Sequence, residues 1–277
     1  MNNILIFGRK GFIGKNFCNF LDKKKVMYKG YSSDEINLND ELSCLKLKNI
    51  KKKNYIIFFF SALTPDKGKD EITLIKNLNM IKNFFIYFPK DFINHFFYIS
   101  SDAVYNMGEN IISEKTIPDP QDLYGLMHLT REKIVQTHLP KEKITILRLT
   151  GVYGKGDTHS SYGPNRFIKT ALKDNEILLF GSGKDLRNHL FVEDLIFMIF
   201  FFFKKKIAGI FCLASDKSFS FVYIANIIKK FLPSILIKFQ PNNSKSTKRI
   251  FKNLLFFNTN KNYRCIEIKK GIDTIIK

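Results

Sequence analysis

Tyr124 and His128 stand four residues apart, one helical turn, shortly after a strand-like run that ends in Ser100, Ser101 and Asp102. Residues at i and i+4 share a helix face, so a phenol and an imidazole at this spacing meet the same volume. A hydroxyl at the carboxyl end of a strand, with a tyrosine on the next helix, can work on an alcohol or a ketone. The tyrosine moves the proton of the C–OH while a nicotinamide moves the hydride. A phenol titrates near 10, so it works at neutral pH only where a neighbour favours its phenolate. His128 is placed to help.

A nicotinamide also needs a seat for its two phosphates, and Gly8-Arg9-Lys10-Gly11-Phe12-Ile13-Gly14 offers one. This segment follows the apolar run Ile4–Phe7 and opens a stretch where Phe12, Ile13, Phe17, Phe20 and Leu21 recur at helical spacing. Strand, glycine turn and helix aim backbone N–H groups and a helix N-terminus at a pyrophosphate. A side chain at a glycine would block the turn, the phosphate or the helix–strand contact.

The elements that must position these residues alternate along the first half. Strand-like runs fall at Ile4–Phe7, Val26–Tyr31, Tyr55–Phe60, Phe96–Ser101 and Ile144–Leu149. Amphipathic helical stretches lie between them at Phe12–Leu21, Asp70–Phe88 and Asp122–His138. Continuous apolar strands separated by helices predict an α/β fold, a doubly wound parallel sheet of Rossmann type. After Gly151 the texture turns to Gly-, Asp- and Ser-rich loops with helices at Glu193–Lys204 and Phe221–Phe231. Residues 1–155 are therefore read as a dinucleotide-binding domain and 156–277 as a smaller substrate-binding lobe, with segments returning to the sheet. Ser244–Arg249 reads as a polar surface loop.

Composition narrows the classes. The longest unbroken apolar run, Leu195–Phe203, is nine residues, too short to cross a bilayer. The opening run reads as a first strand and not as a leader, which places the chain in the cytoplasm. Cys18, Cys44, Cys212 and Cys265 have neither paired spacing nor histidine neighbours, so they read as reduced thiols with no metal site. The net charge of +20 invites a nucleic-acid reading, but only seven of the 45 basic residues are Arg. The lysines cluster at expected helix ends (23–25, 51–53, 204–206), where cations suit the macrodipole. A solvated basic surface explains the charge without nucleic acid, and RNA held by a cofactor-sensing relative remains an alternative.

With these motifs in order, the chain resembles an extended short-chain dehydrogenase/reductase of the NAD-dependent epimerase/dehydratase group that acts on nucleotide sugars. Gly8, Gly11 and Gly14 match its G-x-x-G-x-x-G, and Ser100 to Tyr105 its strand-end S-[ST]-x-x-V-Y. Leu147-Arg148-Leu149 with Val152-Tyr153-Gly154, and Gly181, Gly183, Arg187 with Val192-Glu193-Asp194-Leu195, resemble later family segments. The resemblance implies Tyr124 as acid/base, Ser101 bonded to the reacting oxygen, and Arg187 on the substrate diphosphate. A strand-end cap for Ser101 and a surface ion pair for Arg187 are the plainer alternatives. His128 departs from the family's usual Lys, which binds the cofactor ribose and lowers the tyrosine pKa. It either replaces that Lys in an active subgroup or marks a slow or non-catalytic relative.

The resemblance also narrows the reaction. Family dehydratases carry an Asp-Glu pair where this chain has Asp102-Ala103, which disfavours elimination although Asp102 keeps it open. A reductive relative that epimerises twice, GDP-fucose synthase, uses Cys at the place of Ala103. An epimerase or keto-reductase of a nucleotide sugar is left, with a reductase of another carbonyl compound as the alternative. Ser32 and Ser33, backed by Arg9 and Lys10, suit the 2′-phosphate of NADP and favour it over NAD, while Asp34 is a rival ribose ligand. Asn37 and Leu38 are placed near the adenine, and Ser61 and Ala62 near the nicotinamide ribose. The segment Tyr162–Arg166 starts a helix in which Asn165 is a candidate substrate ligand. His159 is a candidate extra acid or a solvated loop residue. Relatives often form homodimers through a four-helix bundle, for which Asp70–Phe88 and Asp122–His138 are the candidate helices.

Overall fold

The computed structural model describes residues 3–157, 163–242 and 246–277. The first strand, β1 (Asn3–Phe7), runs through the glycine turn into α1 (Phe12–Lys23), followed by β2 (Lys29–Tyr31), α2 (Glu41–Cys44), β3 (Tyr55–Phe59) and α3 (Glu71–Tyr87). Then come β4 (Ile93–Ser101), β5 (Ile111–Ile112), α4 (Leu123–His138), β6 (Ile144–Leu149), β7 (Gly151–Tyr153), α5 (Pro164–Asp174), β8 (Glu176–Phe180) and β9 (Leu186–Phe191). The remainder is α6 (Val192–Lys205), β10 (Gly209–Leu213), β11 (Ser218–Ser220), α7 (Phe221–Phe231), β12 (Leu236–Gln240), β13 (Ile250–Phe251), α8 (Leu255–Thr259) and α9 (Ile268–Ile276).

Six strands form the main sheet in the order β10-β6-β4-β3-β1-β2, and β2/β1, β1/β3 and β3/β4 pair in parallel. Parallel strands must be joined by crossovers, so α1, α3 and α4 are forced onto the sheet faces. Alternation of side chains shows how both faces fill. Phe59 turns to one face, where Phe84 of α3 meets it edge-on at 5.4 Å. Phe58 turns to the other, 4.6 Å from both Phe17 of α1 and Phe97 of β4. All five residues of β3 are buried, as a strand covered on both sides must be. The fold is the α/β, Rossmann-type architecture expected. The second strand is shorter than its apolar run, because only Lys29–Tyr31 finds a partner at the sheet edge.

The chain divides into two compact units. One comprises 1–104, 118–148 and 199–211; the other 105–117, 149–198 and 212–277. The second has its own three-stranded sheet, β11-β9-β7, and its own core around Ile177, Leu179, Phe191, Ile224, Ile228 and Ile272. Among the described residues no helix is long and apolar enough to cross a membrane.

Candidate active site

In the first unit the sheet order reverses at β1, with β2 on one side and β3 on the other. Such a switch point leaves a crevice at the carboxyl ends of the strands. The glycine turn fills its base. Gly8 has φ +90°, and a Cβ there would stand 2.9 Å from the Ser61 nitrogen, so only glycine lets the turn pass the end of β3. A Cβ at Gly14 would lie 2.2 Å from the Gly8 carbonyl, so the third glycine lets α1 return against the turn. The Gly8 and Arg9 N–H groups donate to the Tyr31 carbonyl at 2.9 and 3.1 Å, tying the turn to β2. Among the described residues no side chain caps α1, and no acid stands in its first turn. Its N-terminal N–H groups therefore suit a phosphate.

A cleft of about 200 Å³ opens here, lined by Gly8, Lys10, Gly11, Ser32, Asn37, Leu38, Ser61 and Ala62. All eight are expected cofactor residues. Phe12 and Ile13 begin α1 half-buried, and Gly14 is buried beneath the turn. A larger hollow of about 780 Å³ opens at the amino ends of β1, β2 and β3 and holds none of the expected residues. Ligands of such sheets bind at the opposite edge, so the smaller cleft is the candidate.

At the end of β2 the cations have partners. Arg9 Nε donates to Glu35 at 3.0 Å, and Lys10 pairs with Asp34. Glu35 also accepts from the Ser32 amide at 2.8 Å and the Ser32 hydroxyl at 2.9 Å. The Arg9 bond first, then the Ser32 amide, holds the Glu35 carboxyl down to about 2.

The acid/base group is built from β4 and α4. Ser101 ends β4, and its Oγ accepts from the Ala103 amide at 3.1 Å, capping the turn Asp102–Val104. The cap uses the oxygen and leaves the hydroxyl proton to donate. Asp122 starts α4 by accepting from the Gly125 amide at 2.7 Å. A Cβ on Gly125 would lie 2.1 Å from the Ala103 carbonyl. Glycine next to Tyr124 therefore lets the first turn of α4 press against the strand end that carries Ser101. Further along, Glu132 forms a buried bidentate pair with Arg148 of β6 at 3.0 and 2.7 Å and accepts from Ser100 at 2.5 Å. The helix is thereby clamped to two central strands.

Tyr124 is half-buried, and its ring meets that of His128 edge-on at 4.7 Å. His128 is buried, with Nδ1 2.8 Å from the Tyr98 hydroxyl and, among the described residues, no partner for Nε2. Burial first, then the charge of Arg131, pushes the imidazole well below its ordinary range, so it is neutral at pH 7. Tyr98, Arg131 and Glu132 were not singled out from the sequence. A helical wheel from Tyr124 would have put Arg131 on its face.

In the second unit, the Asn165 side chain accepts from the Gly154 amide at 3.1 Å and donates to its carbonyl at 2.8 Å. Arg187 donates to the Leu186 carbonyl at 2.9 Å and stands 3.6 Å from Asp185. His159 and Tyr162 lie outside the described residues.

A family model described as the NAD dependent epimerase/dehydratase family matches residues 4–212. A dTDP-D-glucose 4,6-dehydratase of Dictyostelium discoideum is 25% identical over 268 residues, 82% of this chain and 62% of that protein. The chain thus spans less than two thirds of that relative. An uncharacterized UDP-glucose epimerase of Bacillus subtilis is 26% identical over 229 residues, 70% of each chain. Among solved structures, an NAD-dependent NDP-hexosamine 5,6-dehydratase of tunicamycin biosynthesis superposes with TM-score 0.83 at 17% identity, over 100% of this chain and 97% of its own.

Proposed function

The chain belongs to the NAD-dependent epimerase/dehydratase family, and from that membership we propose that it is an NAD(P)-dependent epimerase or keto-reductase of a nucleotide-activated sugar. The observation that carries this reading is the contact of the Gly125 turn with the Ala103 carbonyl, which brings the Tyr124 helix to the strand end of Ser101. A dinucleotide fits the chain, because Gly8 and Gly14 let the turn close tightly against the end of β3 and against itself, and the N-terminus of α1 beside it carries no side-chain cap among the described residues.

Gly8 to Gly14 would hold the pyrophosphate, Asn37 and Leu38 the adenine side, and Ser61 and Ala62 the nicotinamide ribose; His128, expected there too, is buried. The bound cofactor supplies the acceptor or donor of hydride. Ser101 donates its hydroxyl proton to the carbinol or keto oxygen. Tyr124 takes the proton from that oxygen in oxidation and returns it in reduction. His128 is neutral and buried, with Nδ1 at the Tyr98 hydroxyl, so it packs behind Tyr124 and does not reach the ribose itself. Ala103 brings neither acid nor base, so elimination would fall to Asp102 alone, and epimerisation or simple reduction suits the site better. Asn165 and Arg187 are the substrate-side residues of this reading, Arg187 for the diphosphate.

We also propose NADP as the preferred cofactor. The Arg9–Glu35 and Lys10–Asp34 pairs are solvent-exposed. Such pairs are worth about 0–1 kcal/mol each, so a dianionic 2′-phosphate can take over their cations. For the homodimer, α3 exposes Ile72, Ile75 and Ile86, and α4 exposes Leu126. These supply apolar surface for a four-helix bundle. The proposed function is tested by incubating purified protein with NAD(P) and a panel of nucleotide sugars, following cofactor absorbance and product stereochemistry. Turnover of a nucleotide sugar without loss of water is expected. Activity confined to sugars or ketones lacking the nucleotide would refute it.

A further inference from the structure

The face of α4 that carries Tyr124 and His128 continues to Arg131, three residues beyond His128 and seven beyond Tyr124. Residues at i, i+4 and i+7 fall on one helical stripe. Arg131 is fully buried, which is rare for an unpaired guanidinium. Its Nη2 donates to the Ser61 carbonyl at 2.7 Å, at the end of β3 where the cofactor cleft begins. Its charge lies over the faces of Phe59 at 5.2 Å and Tyr98 at 5.3 Å. Among the described residues Arg131 Nε has no partner, and neither has Nε2 of His128. Among the described residues no carboxylate is bonded to Arg131; the neighbouring Glu132 is committed to Arg148.

The two basic groups are therefore in opposite states. His128 is held neutral by burial and by Arg131. Burial also lowers Arg131, with Tyr98 and Tyr124 opposing, and a guanidinium in a protein keeps its proton. Tyr98 is itself raised by burial, with Arg131 opposing and Glu132 adding to the rise. Of the two phenols, Tyr98 is wholly buried and Tyr124 only half-buried.

We propose that Arg131, and not His128, provides the fixed positive charge that favours the phenolate of Tyr124. It is a positioning residue: it acts through Tyr124 and, by way of the Ser61 carbonyl, on the wall of the cleft. The proposal rests on the reading of Tyr124 as acid/base, and it explains how that reading survives a histidine at position 128. Packed about this stretch of α4 are Tyr98 from β4, the Ser61 carbonyl after β3, the turn that Asp102 opens after Ser101, and the Glu132–Arg148 pair on α4 and β6, with His128 on α4 itself.

The test follows the Tyr124 hydroxyl directly, by NMR titration of protein labelled with 13Cζ-tyrosine, the Tyr124 signal being assigned from Tyr124→Phe. Arg131→Gln keeps a donor for Ser61 and removes the charge. It should raise the Tyr124 midpoint by about one pH unit, whereas Arg131→Lys should leave it near the wild-type value. The alkaline shift should also appear in the pH profile of turnover. His128→Gln asks the same question without touching Arg131, and should leave the midpoint in place. A rise of about one unit in His128→Gln, or none in folded Arg131→Gln, overturns the proposal. The titration needs neither cofactor nor substrate, so its outcome stands apart from that of the nucleotide-sugar screen.

Discussion

Replacing Gly125 with alanine tests how the acid/base helix is set. The new Cβ would stand 2.1 Å from the Ala103 carbonyl oxygen, and ordinary contact begins near 3.4 Å, so the first turn of α4 must retreat by roughly 1.3 Å. Alanine is the better helix former by about 1 kcal/mol, and the clamp of Glu132 on Arg148 holds the helix beyond its midpoint. The protein should therefore fold, with Tyr124 displaced relative to Ser101. A misplacement of about 1 Å can cost on the order of 100-fold in rate. The phosphate cradle lies on other elements, so dinucleotide affinity should stay within about threefold. Steady-state kinetics with the active nucleotide sugar, together with titration calorimetry of the cofactor, separate the two effects. Undiminished kcat/KM in a folded Gly125→Ala protein would refute the idea that this glycine sets the Tyr124–Ser101 geometry. Equal loss of cofactor affinity would show that the substitution disturbs more than the helix start.

Other consequences can be measured separately. Arg9→Gln should weaken NADP about tenfold, the value of one lost charge-assisted bond, and leave NAD within about twofold; an unchanged ratio of the two dissociation constants would remove Arg9 from 2′-phosphate recognition. Buried His95 is lowered to about 4 by desolvation, and His189 to about 3 by desolvation and then Arg187. With folded values below the unfolded 6.5, the unfolded chain takes protons first, so stability is full above pH 6.5 and falls as pH drops toward those values. Each contributes up to about 2 kcal/mol of loss by pH 5, and His95→Gln should flatten the urea-unfolding profile between pH 7 and 5 by that amount. An unaltered profile would mean that His95 is not neutral in the folded protein.

Much of this architecture is legible in the residues because burial imposes patterns. A strand covered on both faces has to be apolar throughout, which is why Tyr55–Phe59 stands out in the sequence and in the sheet. The glycine turn is legible for a related reason, since Gly8 and Gly14 face backbone that no side chain could clear. Asp70 and Asp122, read as the first residues of their helical stretches, turn out to cap α3 and α4. The edge strand β2 was less legible, because its length depends on how far β1 reaches alongside it. The electrostatics were not legible. Spacing puts Arg131 on the Tyr124 face, but a charged residue in a helix normally marks the solvent face, and it is the packing of Phe59 and Tyr98 from two strands that shows it points inward. Nor does spacing show that His128 is neutral, because that follows from burial and from Arg131. The partnership of Glu35 with Ser32 and Arg9 depends on a turn that brings Glu35 back beside the end of β2.

The most direct test is the rate of cofactor reduction or oxidation when the active nucleotide sugar is mixed with cofactor-loaded Tyr124→Phe protein. Removal of a positioned acid/base group should slow that step by about 100- to 10,000-fold while the cofactor still binds. Reaction at the wild-type rate would show that the proton travels by another group and would contradict the role assigned to Tyr124.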